Sequence, residues 1–409
     1  MNQKEQQRLM VLNQVERGDL RGKQAAALMG LCLRQMRRLL AAYRKEGSAA
    51  LSHGNRGHRP VHALSEETGK QVIALAQGRY AGFNHHHLTE LLAEREGLVL
   101  SRSSVWRILT AAGLRSSRHR RPAKHRCRRE RYPQEGMLLQ IDGSRHDWLE
   151  GRGPYLTLVG AIDDATGSVP YALFREQEDA QGYFMLLGEV IQSKGIPSAV
   201  YSDQHGIFQR SVKDPDTLEE QLSGERQPTQ FGRALKELGI QPILALSPQA
   251  KGRIERLWGT FQDRLVAELR LAGASTMDEA NRVLEDFLPR FNARFSVPAS
   301  QSGSAYRRPP QDLGLTGVLC FKYQLTVAGD NTIRFAGRTL QLLPGLERPS
   351  YTHARMEIQE RLDGSLVVCY QGQTIAPPLR HRTIRLSCVP ARRPGLGPPQ
   401  CLRAPYQFR

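Results

Sequence analysis

Apolar positions recur at helical spacing from the start of the chain: Leu9, Leu12 and Val15 fall on one face of a segment over residues 5–17 that stops at Gly18. A short helix over residues 23–29 and a third over 33–43 follow, separated by Gly30-Leu31-Cys32. A short helix, a glycine turn and an arginine-rich helix form the helix-turn-helix pattern. Met36, Leu39, Leu40 and Tyr43 are predicted to face inward, while Arg34, Gln35, Arg37 and Arg38 face outward, where they can reach phosphates or base edges. An ordinary three-helix bundle with a charged face is the plainer alternative. A second helical unit is predicted from segments 66–77, 87–96 and 102–112. In its last helix Val105, Ile108 and Leu109 point inward, Ser101 is an N-cap, and Arg102, Ser103 and Arg107 are candidate DNA contacts. His85-His86-His87 does not read as a metal site, because adjacent histidines at a helix start do not converge on one ion.

The centre of the chain alternates between the two periods. A strand over 137–141 leads to a hairpin with arms 155–162 and 169–174 around Asp163-Asp164-Ala165-Thr166-Gly167. A helix (180–193), a strand (198–202), a helix (229–238) and a strand (241–246) come next, and Gly252 opens a long helix. This order predicts a mixed α/β sheet with an antiparallel edge. The polar stretch 209–228 reads as an inserted loop. After residue 318 closely spaced short strands, at 321–327, 332–335, 338–343, 356–361, 366–370 and 373–375, predict a small β-barrel. The expected organisation is multidomain. Helix-turn-helix units occupy 1–50 and 65–114 with a linker at 51–64, a basic linker spans 115–135, and the α/β core takes 136–296. The barrel spans 318–376, and a basic flexible tail covers 377–409.

Charge sharpens this picture. The formal net charge is +18, with 58 Lys and Arg against 40 Asp and Glu, and much of it is clustered. Arg118, Arg120, Arg121, Lys124, Arg126, Arg128 and Arg129 crowd the stretch 115–131 of the basic linker, where Glu130 is the one acid. Such runs bind polyanions by counterion release, so nucleic acid is the expected partner. The six cysteines contain no Cys-x-x-Cys pair, which argues against a zinc ribbon or a disulfide framework and suits a reduced, cytoplasmic compartment. No apolar run reaches the length of a membrane span, so no membrane partner is expected.

Three acids stand out in apolar contexts: Asp142 after the first strand, Asp203 after the fourth, and Glu255 on the long helix. Converging carboxylates repel one another unless cations sit between them, and hard oxygen donors select Mg²⁺ or Mn²⁺. On the helix, Ile254, Trp258, Phe261 and Leu265 form the buried stripe and turn Glu255 to its edge. Lys251, Arg253 and Arg256 flank it as candidate DNA-backbone contacts. Asp147, Asp163, Asp164 and Asp263 are rival carboxylates, and Asp163 and Asp164 sit in a turn, where Asp is common.

These residues resemble a known family. Asp142, Asp203 and Glu255 look like the Asp-Asp-Glu triad of the ribonuclease-H-like (integrase core) fold, shared by transposases and retroviral-type integrases. The segments Tyr201-Ser202-Asp203-Gln204-His205-Gly206-Ile207-Phe208 and Ser247-Pro248-Gln249-Ala250-Lys251-Gly252-Arg253-Ile254-Glu255-Arg256, with the helix from Thr229 to Ile240, are similar to bacterial insertion-sequence transposases, most of all the ISNCY group. Asp203 and Glu255 lie 52 residues apart, farther than in the simplest members, and the inserted loop absorbs the excess. The resemblance implies a DNA transposase that binds terminal inverted repeats, cleaves a strand at the element end, and transfers the 3′-OH into target DNA. It implies two Mg²⁺ (or Mn²⁺) ions held by Asp142, Asp203 and Glu255. It also implies a homo-oligomer of at least two protomers on paired DNA ends. A DNA-binding regulator with a vestigial catalytic domain and a ribonuclease-H-like nuclease without strand transfer are the alternatives.

Overall fold

The computed structural model describes residues 3–52, 63–116, 129–211, 215, 218–224, 226–245, 252–343 and 348–379. It divides into two compact units, Met1–Ala74 and Leu75–Arg409. In the first, α1 (Gln3–Glu16), α2 (Gly22–Leu28) and α3 (Leu33–Glu46) match the predicted trio, closed by a 3₁₀ turn at Gly47–Leu51. Val11, Leu12, Ala25, Ala26 and Met36 are buried among them. The Tyr43 hydroxyl donates to Asn13 Oδ1 at 2.7 Å and joins the first helix to the third. Arg34, Gln35, Arg37 and Arg38 are exposed on α3, as their spacing requires. Helix α4 (Glu66–Gln77) follows.

In the second unit α5 (His85–Arg95) and α6 (Arg102–Ala111) form a hairpin around Leu88, Leu91, Leu92, Val105 and Leu109, all buried. Asn84 caps α5 by accepting from the backbone of His86 and His87, and Ser101 caps α6 by accepting from Ser104. The chain then enters β1 (Leu139–His146), β2 (Leu156–Asp163), β3 (Ala172–Arg175), α7 (Ala180–Ser193) and β4 (Ala199–Ser202). A short helix α8 (Leu218–Ser223) lies within the stretch read from sequence as a loop. It is followed by α9 (Gln230–Glu237), β5 (Gln241–Leu244), α10 (Gly252–Leu271) and α11 (Met277–Phe295).

The five strands form one sheet in the order β3-β2-β1-β4-β5, antiparallel from β3 to β1 and parallel from β1 to β5. Helices cover both faces, so β2 is buried along its whole length and carries no polar alternation. Residues 139 and 141 of β1 belong to the α7–α9 face. The α10–α11 face is packed by Trp148, Phe174, Ile254, Trp258, Phe261, Leu265, Phe287 and Phe291. The apolar stripe of α11 is therefore ordinary core.

One expectation fails in the C-terminal part. Helix α12 (Leu315–Val318) is followed by β6 (Cys320–Thr326), β7 (Thr332–Phe335), β8 (Arg338–Gln341), β9 (Arg355–Arg361), β10 (Leu366–Tyr370) and β11 (Gln373–Leu379). Among the described residues these make an open four-stranded sheet, β11-β10-β9-β6, and a separate β7-β8 hairpin, not a closed barrel. The outer side of β6 turns to the core instead of to another strand. Phe321 packs on Phe184 with ring centroids 5.3 Å apart, and Gln230 exchanges hydrogen bonds with the Lys322 backbone at 2.8 and 3.0 Å.

The α5–α6 hairpin is docked on α10 and α11 by charge. Glu268, 3% exposed, receives Arg95 at 2.7 Å and His87 at 3.2 Å, with Arg290 at its rim. Arg264 pairs with Glu90, and Asn84 donates to Asp263 at 2.6 Å. Burial pushes the Glu268 carboxyl up, but the His87 hydrogen bond and the charges of Arg95 and Arg290 outweigh it and bring the value from 4.5 down to about 2. A depressed carboxyl contributes stability that is complete above about pH 4.5 and is lost as pH falls toward 2. Glu268→Gln is expected to cost on the order of 3 kcal/mol near neutral pH. In denaturant unfolding, the gap from the wild type should narrow as pH is lowered from 7 to 3. A gap that stays constant would exclude this anchor as its source.

Candidate active site at the sheet edge

Asp142 does not end its strand. β1 continues through Gly143 to His146, pairing with β2 along its full length, whereas its parallel pairing with β4 covers only Leu139 and Gln140. Asp142 thus sits where β4 has already turned away, on an edge that needs no backbone partner. The register sets the second acid beside it. Gln140 pairs with Tyr201 at the last paired position, so Asp142 and Asp203 each follow two residues further along their own segment, the same alternation that keeps 140 and 142 on one face. Asp203 lies directly after β4, and its Oδ1 accepts from the His205 backbone at 2.9 Å.

Helix α10 runs along this face of β1 and is matched to it by polar pairs. Gln140 donates to Asp164 at 2.7 Å, and Asp164 also receives Arg253 Nε at 2.7 Å. Trp258 Nε1 donates to Asp142 Oδ2 at 3.0 Å, and Gln262 reaches Ser144 Oγ at 3.4 Å. Glu255 precedes Trp258 by three residues and Gln262 by seven, so it shares their helical stripe. It is exposed in the first turn of α10, one turn from the indole that holds Asp142. The fold therefore brings Asp142, Asp203 and Glu255 to one end of the sheet. Among the described residues, no three Asp, Glu, His or Cys side chains are drawn together closely enough to grip an ion. The donor set, hard carboxylates from two neighbouring strands and a helix, suits Mg²⁺ or Mn²⁺.

Two glycines make the arrangement possible. Gly160 lies opposite Asp142, and a Cβ there would meet the Trp258 ring at 2.8 Å. A Cβ on Gly143 would meet the Glu178 carboxyl at 2.7 Å. Glu178 was not singled out by sequence reasoning, although a glycine directly after Asp142 is a signal that something approaches the strand. The buried Tyr183 hydroxyl donates to Glu178 at 2.6 Å. Burial foremost, then the adjoining Glu178 and the charges of Asp142 and Asp203, raise this phenol well above its ordinary value. Tyr183 thus stays a neutral donor among acids.

The rival acids have structural roles. Asp163 closes the β2–β3 turn by accepting from Gly136 and Thr166. Asp164 is 0% exposed and gathers Arg129, Arg253, Gln140 and the Tyr132 backbone. Asp263 receives Asn84. Of the proposed DNA contacts, Arg129 and Arg253 are engaged with Asp164, while Arg102, Arg107 and Arg256 are exposed. Arg118, Arg120, Arg121, Lys124, Arg126, Arg128 and Lys251 lie outside the described residues.

Residues 8–70 match the family model of the winged helix-turn helix. The chain is 36% identical over 380 residues to the transposase y4bF of Sinorhizobium fredii, spanning 92% of this chain and 80% of that protein. It is 30% identical over 372 residues to the transposase for insertion sequence IS1202 of Streptococcus pneumoniae, spanning 82% of this chain and 77% of that protein. The chain belongs to the insertion-sequence transposases, enzymes of the polynucleotidyl transferase and endonuclease type. Among solved structures it is similar to a simian T-cell lymphotropic virus intasome (16% identity, TM-score 0.32, 72% of this chain and 91% of that one). It is also similar to the HTLV-2 integrase catalytic core domain in complex with magnesium (17%, TM-score 0.25, 37% and 85%). Both scores are too low to bear on the site. No helix among the described residues is long and apolar enough to cross a membrane.

Asp164→Ala would leave the Arg253 and Arg129 guanidinium groups without their carboxylate and is expected to cost about 3 to 5 kcal/mol in denaturant unfolding. Trp258→Phe removes the hydrogen bond to Asp142 and the part of the buried ring that lies over Gly160, and should cost about 1 to 3 kcal/mol. If Asp164→Ala unfolds like the wild type, the assignment of Asp164 as the anchor of α10 is wrong.

Proposed function

We propose that this transposase binds the terminal inverted repeats of its element through its helical units, cleaves one strand at each end, and joins the freed 3′-OH to target DNA. The observation that carries the reading is the β1–β4 register, in which Asp142 and Asp203 each lie two residues beyond the paired Gln140 and Tyr201, with Glu255 on the α10 stripe that already holds Asp142 through Trp258. This arrangement supports a ribonuclease-H-like catalytic core over residues 136–296, in which these three acids hold two Mg²⁺ or Mn²⁺ ions. When bound, the ions would activate the attacking oxygen and stabilise the leaving one.

The residues of the chain supply the rest. Asp142 is fixed by the Trp258 indole, so its carboxylate is oriented before substrate arrives. Neutral Tyr183 keeps Glu178 turned toward itself. In the cleavage step a water oxygen attacks the phosphorus at the element end and the 3′-oxygen departs. In the transfer step that 3′-OH attacks a target phosphorus, and one phosphodiester forms as another breaks. No covalent enzyme–DNA intermediate is required. Insertion of both ends requires at least two protomers, and the C-terminal sheet and basic tail are the surfaces we assign to assembly and further DNA contact.

Asp142→Ala, Asp203→Ala and Glu255→Ala should each abolish cleavage and strand transfer in Mg²⁺ while leaving end binding within about twofold of the wild type, since affinity comes from phosphate and base contacts made elsewhere. Ca²⁺ should support binding with little chemistry, because its looser coordination positions the reacting oxygens poorly. Full activity in Asp203→Ala would refute the triad. Cleavage without joining of a pre-cut end would favour the nuclease alternative, and end binding without nicking would favour the regulator. Neutralising the arginines from Arg118 to Arg128 should flatten the dependence of log K on log salt by nearly one unit per lost phosphate contact. An unchanged slope would remove the linker from the DNA path.

A further inference from the structure

Helix α6 presents an outward stripe of Arg102, Ser103, Trp106, Arg107 and Thr110, all exposed. Trp106 is 55% exposed at its centre, and Val99, just before the helix, is 85% exposed. A large apolar ring held in water within a rim of cations marks a binding surface more than a stray surface residue. Its charge selects the occupant. No acidic residue occurs between Glu96 and Glu130, whereas Arg102, Arg107 and Arg115 are all in this stretch. A partner protein with a mixed surface would find no cation-binding group here, but a polyphosphate would meet arginines on both sides of the ring. The helix is also held in place. Its hairpin partner α5 is anchored to α10 through Glu268, Arg264 and Asp263, so a duplex gripped by α6 is held at a set offset from the helix that carries Glu255.

We infer that Trp106 is a specificity-determining residue of this transposase, making apolar contact with base edges, thymine methyl groups above all, in the major groove of the element end. Arg102 and Arg107 hold the flanking phosphates. This rests on the end-binding role proposed above and adds the residue that reads sequence, since arginine contacts to phosphate position a duplex without distinguishing bases.

The three tryptophans make the test direct, because Trp148 is 0% and Trp258 6% exposed, leaving Trp106 as the accessible fluorophore. Acrylamide should quench emission of the full-length protein and quench Trp106→Phe far less. A labelled duplex carrying the terminal repeat that flanks the protein's own gene should shield the wild type, whereas a scrambled duplex of equal composition should shield it less. By anisotropy, Trp106→Ala should weaken end binding by about tenfold, the scale of one lost base contact, and scrambled-duplex binding by less than about twofold. Arg102→Ala and Arg107→Ala should weaken both duplexes together. Unchanged end affinity in Trp106→Ala, or a Trp106 still quenched in the bound complex, would overturn this inference while leaving end recognition intact. A wild type that does not distinguish the two duplexes would overturn both. Shielding that grows with protein concentration in the absence of DNA would assign the face to a second copy of this chain instead.

Discussion

Asp164 is a carboxylate with no access to water, placed at the turn after β2 and surrounded by Arg129, Arg253, Gln140 and the Tyr132 backbone. A buried charge costs several kcal/mol unless its lone pairs are met by well-placed donors, and here four groups from three parts of the chain meet them. Each is close to something the site needs. Gln140 is two residues before Asp142, Arg253 is two before Glu255, and Arg129 belongs to the basic linker. The solvation demand of one internal acid therefore sets the relative height of β1 and α10, and with it the relation between two of the three candidate catalytic carboxylates.

On this frame the active-site edge is assembled by removing bulk as much as by adding function. Gly160 gives the Trp258 ring room to lie on β2, and from there its N–H reaches Asp142. Gly143 lets Glu178 approach from the opposite face, where Tyr183 satisfies it. Tyr183 serves this purpose only while protonated, and its burial among acids keeps it so.

The pieces that the chain lists as modules are joined more tightly in the second unit than their order suggests. The α5–α6 hairpin is held to α10 and α11 by Glu268, Arg264 and Asp263. Strand β6 is bound to α7 and α9 by Phe321 and Lys322. Helix α10 carries Glu255 near its start and Glu268 near its end, so the docking site of the α5–α6 hairpin and the candidate catalytic Glu255 share one helix.

Local pattern was enough for most of the elements. The helical spacing of Met36 and its neighbours, the Ser101 cap, the apolar strands and the turn glycines each act over a few residues, and the helices and strands follow them to within a few positions. The order of elements carried the mixed sheet, and the apolar settings of Asp142, Asp203 and Glu255 singled them out because acids there have no packing role. What distant residues decide was not legible. Whether the C-terminal strands close on themselves depended on Phe321 finding Phe184, a contact between segments far apart in sequence, and the result is an open sheet. Asp164 looked like a turn residue because its partners Arg253 and Gln140 become neighbours only after folding. Glu178 carries no distinguishing context of its own, and Asp142 reads as a strand end because the early departure of β4 is a fact of the sheet and not of β1. Sequence determined what is near in the chain, and tertiary structure decided which charges would be buried together.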